Sequence, residues 1–293
     1  MHVTIHIGLP KCASSSLQGY FADNDALFRN AGLLYPVSHR QEDGYRHHDP
    51  LLASGLDVAA AADDILQEAE ASGCRRVLLS AEQFSSDRTG KLAAVAGAFA
   101  DRLSPDAVSC LCLIRDPVAM LRSSYQQFVR AGLWRIDRQA FYQTTDASME
   151  AYIQEFHRLW GCHWFAYDQL ITRAMAGVPA SGLQVWDLDQ TPSLTERLNA
   201  HFNLPDGTAA EVRNTRLPQV KIQFLRRFQQ DFGHKIYDRN RPALIRRVNL
   251  SGSGYTPEQA LLDGLDLPDG QLQQRFPQMQ THKLKALAMS GPR

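Results

Sequence analysis

The residues Gly8-Leu9-Pro10-Lys11-Cys12-Ala13-Ser14-Ser15-Ser16 place a glycine, a lysine and a run of hydroxyls between a strand-like and a helix-like segment. Backbone N–H groups at a helix start, together with the helix dipole, favour an anion there. A lysine adds positive charge and the serines add donors, so the chemistry indicated is phosphate binding. A nucleoside-triphosphate loop of the form G-x-x-x-x-G-K-[ST] carries its lysine late and uses the following hydroxyl to hold magnesium. Here the lysine comes early and serines occupy the helix entry. By itself the run also fits a surface turn whose serines cap the helix.

Two further groups of residues are suited to chemistry. Arg115 ends the apolar run Val108 to Ile114 and is followed by Asp116, Pro117 and, further on, Ser123. An arginine offers a planar fork to phosphate oxygens, and a serine on the next helix adds a directional donor. Asp116 and Pro117 have the types of an N-cap and a first-turn proline, although an acidic residue ending such a strand also occurs in magnesium-dependent nucleotide hydrolases. For a general base the candidates are Glu82, in Leu78-Leu79-Ser80-Ala81-Glu82, and the pair His47 and His48. A histidine titrates near working pH unaided, whereas a glutamate is helped by partial burial.

The elements that must position these residues follow from periodicity. Val3 to Ile7 reads as a strand, and Leu17, Tyr20, Phe21, Leu27 and Phe28 fall on helical spacing up to Gly32. A helix is predicted at about 57–72, a strand at 76–80, a helix at 91–103, a strand at 108–114 and a helix from Pro117 to about Arg130. Further helices are predicted at 149–160 and 194–202, and a strand at 183–188. Val220, Phe224, Phe228 and Phe232 mark another helix with one apolar face. The alternation predicts an α/β fold, a central parallel sheet flanked by helices, with ligands at the carboxyl ends of the strands. No repeat or low-complexity tract divides the chain, so residues 1–293 read as a single domain, with little structure assigned from about 251 onward.

Composition narrows the function classes. Hydrophobic residues make up 44% and charged residues 21% of 293, and 31 Lys plus Arg balance 31 Asp plus Glu. Global charge therefore points to neither nucleic acid nor a membrane surface, and no apolar run approaches the ~18 residues of a spanning helix. The five cysteines, Cys12, Cys74, Cys110, Cys112 and Cys162, form no C-x-x-C pair, and the histidines lack ligand spacing, so no metal site is expected. The start shows no basic leader before an apolar segment, and the expected compartment is the cytoplasm.

The run Pro10-Lys11-Cys12-Ala13-Ser14-Ser15-Ser16-Leu17 resembles the 5′-phosphosulfate loop of sulfotransferases that use 3′-phosphoadenosine-5′-phosphosulfate (PAPS). The later run Ile114-Arg115-Asp116-Pro117 through Ser123-Ser124-Tyr125 is similar to that family's 3′-phosphate motif. The resemblance implies a P-loop nucleotide-hydrolase-like sulfotransferase fold and transfer of a sulfuryl group to a hydroxyl or amine of an acceptor such as a glycan, lipid or small metabolite. By the same resemblance Lys11, Cys12, Ala13, Ser14, Ser15, Ser16 and Leu17 hold the 5′ side of the donor and Arg115 and Ser123 its 3′-phosphate, with no metal required. Lys11 meets the charge on the leaving group, and branches of the family use a glutamate or a histidine as base, so Glu82, His47 and His48 stay open. Asn214 lies where some bacterial members carry a related turn. The R-K-G motif of the cytosolic branch is absent, so the adenine clamp does not transfer. Eight Lys or Arg against two Asp between Lys221 and Arg247 fit an anionic acceptor, a cover for the 3′-phosphate, or a solvated helix face. The alternatives are a P-loop small-molecule kinase and a nucleotide-binding module without catalysis.

Overall fold

β-branched and other apolar residues dominate His2–Ile7, Arg76–Ala81 and Val108–Ile114, and each forms a strand with nearly every side chain buried. Such continuous apolar runs are what a parallel sheet covered on both faces requires. The computed structural model describes residues 1–41, 46–179, 181–190, 193–207, 217–247 and 269–291. In chain order the strands are β1 (His2–Ile7), β2 (Leu33–Leu34), β3 (Arg76–Ala81), β4 (Val108–Ile114) and β5 (Gly182–Asp187). The helices are α1 (Ser14–Asp23), α2 (Asp25–Asn30), α3 (Val58–Ala71), α4 (Lys91–Arg102), α5 (Pro117–Ala131), α6 (Arg138–Thr144) and α7 (Met149–Trp160). They continue with α8 (Tyr167–Ala174), α9 (Leu194–Phe202), α10 (Gln219–Phe232), α11 (His234–Arg247), α12 (Asp269–Arg275) and α13 (Met279–Ala288).

The described chain forms two compact units, one of residues 1–116, 167–213 and 281–293 and the other of residues 117–166 and 214–280. The first holds the sheet, ordered β2-β3-β1-β4-β5 and parallel throughout, as the α/β reading requires. β1 is central, with Thr4 opposite Leu78 on β3 and Ser109 on β4. The carboxyl ends of β3, β1 and β4 are therefore neighbours, and after β1 the chain lays down β2 and β3 on one side of it before crossing to β4 and β5 on the other. That is the switch point where open parallel sheets bind ligands.

Local signals set most element ends. The Asp57 carboxylate caps α3 by accepting from the Ala60 N–H, and Gly73, at φ 68°, turns the chain into β3. Between Ser14 and Gly32 the single helix expected from the spacing is two, α1 and α2, because the chain leaves helical geometry at Asn24. The Asn24 side chain donates to the Tyr20 carbonyl and so takes up an acceptor at the end of α1.

The second unit is helical. Phe128 of α5 lies near-parallel to Tyr142 of α6, at 6.1 Å, and packs against Tyr152 of α7. The Gln229 amide of α10 donates to the Val129 carbonyl and to the Tyr142 hydroxyl. The helix expected from Val220, Phe224, Phe228 and Phe232 is present, yet its buried side chains include Ile222, Leu225 and Gln229, and Phe232 is 56% exposed. Positions four apart gain about 40° per step on a 3.6-residue helix, so such a stripe winds away from any one face.

Beyond residue 251 the chain holds more structure than composition indicated, namely α12 and α13. Lys283 of α13 lies 2.9 Å from both Asp187 and Asp189 at the end of β5, and the Gly291 N–H donates to the Leu183 carbonyl. Asn214 and residues 251–268 lie outside the described residues.

Candidate active site

The loop between β1 and α1 has a backbone shape that its sequence only partly announces. Lys11 and Ala13 both take left-handed conformations, at φ 66° and 63°, and Cys12 between them does not. Such alternation turns successive N–H groups to one side and makes an anion-binding concavity. Ser16 and Leu17 donate back to the Ala13 carbonyl, so the N–H groups of Ala13, Ser14 and Ser15 precede the first intrahelical acceptor. Ala13, at the cap position, supplies no side-chain acceptor to replace one.

The side chains around the loop complete this picture. The Ser14 hydroxyl is buried with no hydrogen-bond partner, and so is Nε of Arg115. Arg115 Nη1 donates to the Lys11 carbonyl at 3.3 Å, and the buried Tyr167 hydroxyl donates to the Arg115 carbonyl at 3.1 Å. The end of β4 is thereby fastened to the loop that follows β1. A buried polar atom left without a partner is costly. An anion beside each atom would give it a charge-assisted partner, so the residues present fit phosphate groups at the loop and at the end of β4.

Gly8 is required by close approach. A methyl group there would lie 2.3 Å from Ser14 Oγ and 3.1 Å from the Glu82 Cα. Ser85 reaches back to donate to the Gly8 carbonyl at 2.7 Å, which ties the turn after β3 to the same loop. Cys12 is fully buried, and burial pushes its thiol up to about 12 with Arg115, Glu82, Asp189 and Lys11 all acting on it. It is a small apolar plug under the loop and not a nucleophile.

Glu82 begins the short 3-10 turn Glu82–Ser86 at the end of β3. Its Oε1 accepts from the Lys11 backbone N–H at 3.3 Å. Burial of the carboxyl pushes its pKa up to about 6, against the pull of Lys11 and with a further push from Asp49. Asp49, which sequence reading passed over, is raised in turn by burial, while His47 and hydrogen bonds from Gln83 hold it down. His47 Nδ1 lies 3.5 Å from Asp49 Oδ2. The structure thus gathers Lys11, Ser14, Glu82 and Arg115 around one loop, with Asp49 acting on Glu82 and His47 beside Asp49. Ser15 and Ser16 are partly exposed on the first turn of α1, and Leu17 is buried beneath it. Ser123 is partly exposed on α5 of the second unit.

His48 stands elsewhere than a polar-loop reading suggests. It is fully buried, with the Ser80 N–H donating to Nδ1 at 3.2 Å and Nε2 donating to the Pro36 carbonyl at 3.1 Å. Burial lowers its pKa to about 3. Both ring nitrogens hold backbone groups, and neither faces a substrate. A second buried histidine, His6, is also a residue that sequence reading passed over. The signal was present, since a polar side chain inside a doubly covered parallel strand is itself informative.

No family model matches the sequence, and no curated protein matches it. Among solved structures, the sulfotransferase of Alicyclobacillus acidocaldarius is similar over 86% of this chain and 98% of that one, at 15% identity and a TM-score of 0.38. A likeness of that degree transfers no residue role. Among the described residues no helix is long and apolar enough to cross a membrane, and no group of three or more His, Cys, Asp or Glu is placed to hold a metal ion.

Proposed function

We propose that this chain is a sulfotransferase that moves the sulfuryl group of PAPS to a hydroxyl or amine by in-line transfer, within a fold of the P-loop nucleotide-hydrolase type. The observation that carries the reading is the loop itself, with an early Lys11, left-handed backbone at Lys11 and Ala13, and the unpartnered Ser14 hydroxyl and Arg115 Nε beside it. Lys11 and the N–H groups of residues 13–15 stabilise negative charge as it grows on the leaving 5′-phosphate. Glu82, raised to about 6, is ionised at neutral pH yet a stronger base than an ordinary carboxylate, and it takes the acceptor proton as the S–O or S–N bond forms. His47, beside Asp49, is the alternative base. His48 is set aside because both its nitrogens are committed. Arg115 is assigned to the 3′-phosphate, and Ser123 shares that role on the strength of its place in the motif.

The test is turnover. The protein is incubated with PAPS and a panel of hydroxyl and amine acceptors, with and without a chelator, and release of adenosine 3′,5′-diphosphate is followed. Chelator-insensitive release supports the reading. Transfer from ATP that needs magnesium would replace it with a kinase, and binding of nucleotide with no transfer to any acceptor would leave a binding module.

A further inference from the structure

Beneath the loop lies a buried polar line that ends on two unpartnered atoms. His6 is the penultimate residue of β1, opposite Ser80 of β3, and is fully buried. Its Nδ1 lies 2.8 Å from Ser80 Oγ, which also receives a hydrogen bond from the Gln18 amide at 3.1 Å. With Gln18 donating to it, the Ser80 hydroxyl has one proton to give and one acceptor to give it to, the Nδ1 of His6. Burial lowers the His6 pKa to about 3, so the ring is neutral and carries a single proton. That proton is therefore on Nε2.

The Nε2 of His6 is buried without a partner, and so is the Ser14 hydroxyl. The two meet around Gly8. A methyl group on that glycine would lie 2.3 Å from Ser14 Oγ and 3.2 Å from Cε1 of His6, the ring carbon between Nδ1 and Nε2, and Nδ1 is already engaged by Ser80. The two atoms are not hydrogen-bonded to each other in this structure, so contact between them requires rotation of the Ser14 side chain or a bridging water.

We infer that His6 is a positioning residue that orients the Ser14 hydroxyl toward an anion held in the loop. Gln18 donates to Ser80, Ser80 to His6 Nδ1, and His6 Nε2–H to Ser14 Oγ. With its lone pair so engaged, Ser14 turns its own proton outward to a phosphate oxygen. No proton is transferred in this line, and its effect is the direction of one donor. The inference rests on the reading of the loop as the 5′-phosphate site.

The experiment is a double-mutant cycle on adenosine 3′,5′-diphosphate affinity with His6→Leu, Ser14→Ala and the pair, joined to histidine 15N NMR on the unmodified protein. His6→Leu is expected to weaken binding about tenfold, with no further loss once Ser14 is alanine. His6→Gln, which returns an N–H near the Nε2 position, is expected to recover part of the loss. NMR is expected to show the Nε2–H tautomer and a shift of that proton on nucleotide binding. Equal losses from His6→Leu in both backgrounds, or an Nδ1–H tautomer, overturn the inference while leaving the loop assignment in place. Should the variants fail to fold, the tautomer and its response to nucleotide still decide. Failure of the unmodified protein to bind the diphosphate overturns the loop assignment, and the inference with it.

Discussion

The Lys11 backbone N–H donates to the carboxylate of Glu82 across 3.3 Å, joining the loop after β1 to the turn after β3. This contact places the proposed base beside the proposed charge stabiliser. It also makes the two residues separable, since the bond uses the Lys11 backbone N–H and not its side chain.

Lys11→Ala should therefore keep the fold and the Glu82 contact while losing turnover. Removal of a donor to charge that develops in the transition state lowers kcat on the order of 10²–10³. Affinity for the diphosphate product should fall far less, and single-turnover kinetics beside calorimetry will show the split.

For Glu82→Gln the expected outcome is loss of activity with gain of stability. General-base removal lowers rate on the order of 10²–10⁴. Because the folded pKa, about 6, lies above that of a free carboxyl, folding favours the protonated form, and this contribution is lost as pH rises through 6. At pH 7.5 the ionised group opposes folding by roughly 2 kcal/mol, which the amide removes. Urea unfolding at that pH should show the increase. If the proposed transfer holds, kcat/KM of the unmodified protein should climb as pH rises through about 6 and level off above it.

Arg115→Ala removes the guanidinium at the end of β4 that touches the Lys11 carbonyl. A lost charge-assisted contact costs about 1.5–3 kcal/mol, so affinity for the diphosphate should fall roughly ten- to a hundredfold and approach that for AMP. Ser123→Ala should cost less, since a neutral hydroxyl donor is worth about 0.5–1.5 kcal/mol.

Acid should weaken the fold through His6 and His48. Both pKa values are lowered by burial to about 3, well below that of an unfolded histidine. The unfolded chain then binds the extra protons, and stability is lost as pH falls from about 6.5 toward 3. His48→Leu should be less stable at pH 7, because the Ser80 N–H and Pro36 carbonyl lose their partner, and its stability should fall less steeply with acid. An unchanged slope would mean that His48 is protonated in the fold.

Four of the five strands, all but β2, and the place of the loop were legible in the sequence because they depend on local patterns. Apolar runs at Val3, Val77 and Val108 mark strands wherever they pack, and Asp57 and Pro117 mark helix starts through backbone chemistry alone. Glu82 could be placed near Lys11 because parallel strands bring their carboxyl ends together. What sequence could not give depends on register and distant partners. His48 stands in a polar stretch, yet its burial is set by Pro36, Tyr35 and Ser80. The bond from His6 to Ser80 spans 74 residues and exists only because β1 and β3 pair in one register. Lys283, which holds α13 against Asp187 and Asp189 at the end of β5, sits in a segment to which the sequence reading assigned little structure.

The most direct test of the central claim is a calorimetric titration of the unmodified protein, without magnesium, with adenosine 3′,5′-diphosphate and with AMP. The expected result is binding of the diphosphate at least ten times tighter than AMP, with the difference largely gone in Arg115→Ala. Equal affinity for the two nucleotides, or binding that appears only with ATP and magnesium, would contradict the assignment of Lys11 and Arg115 to a PAPS site.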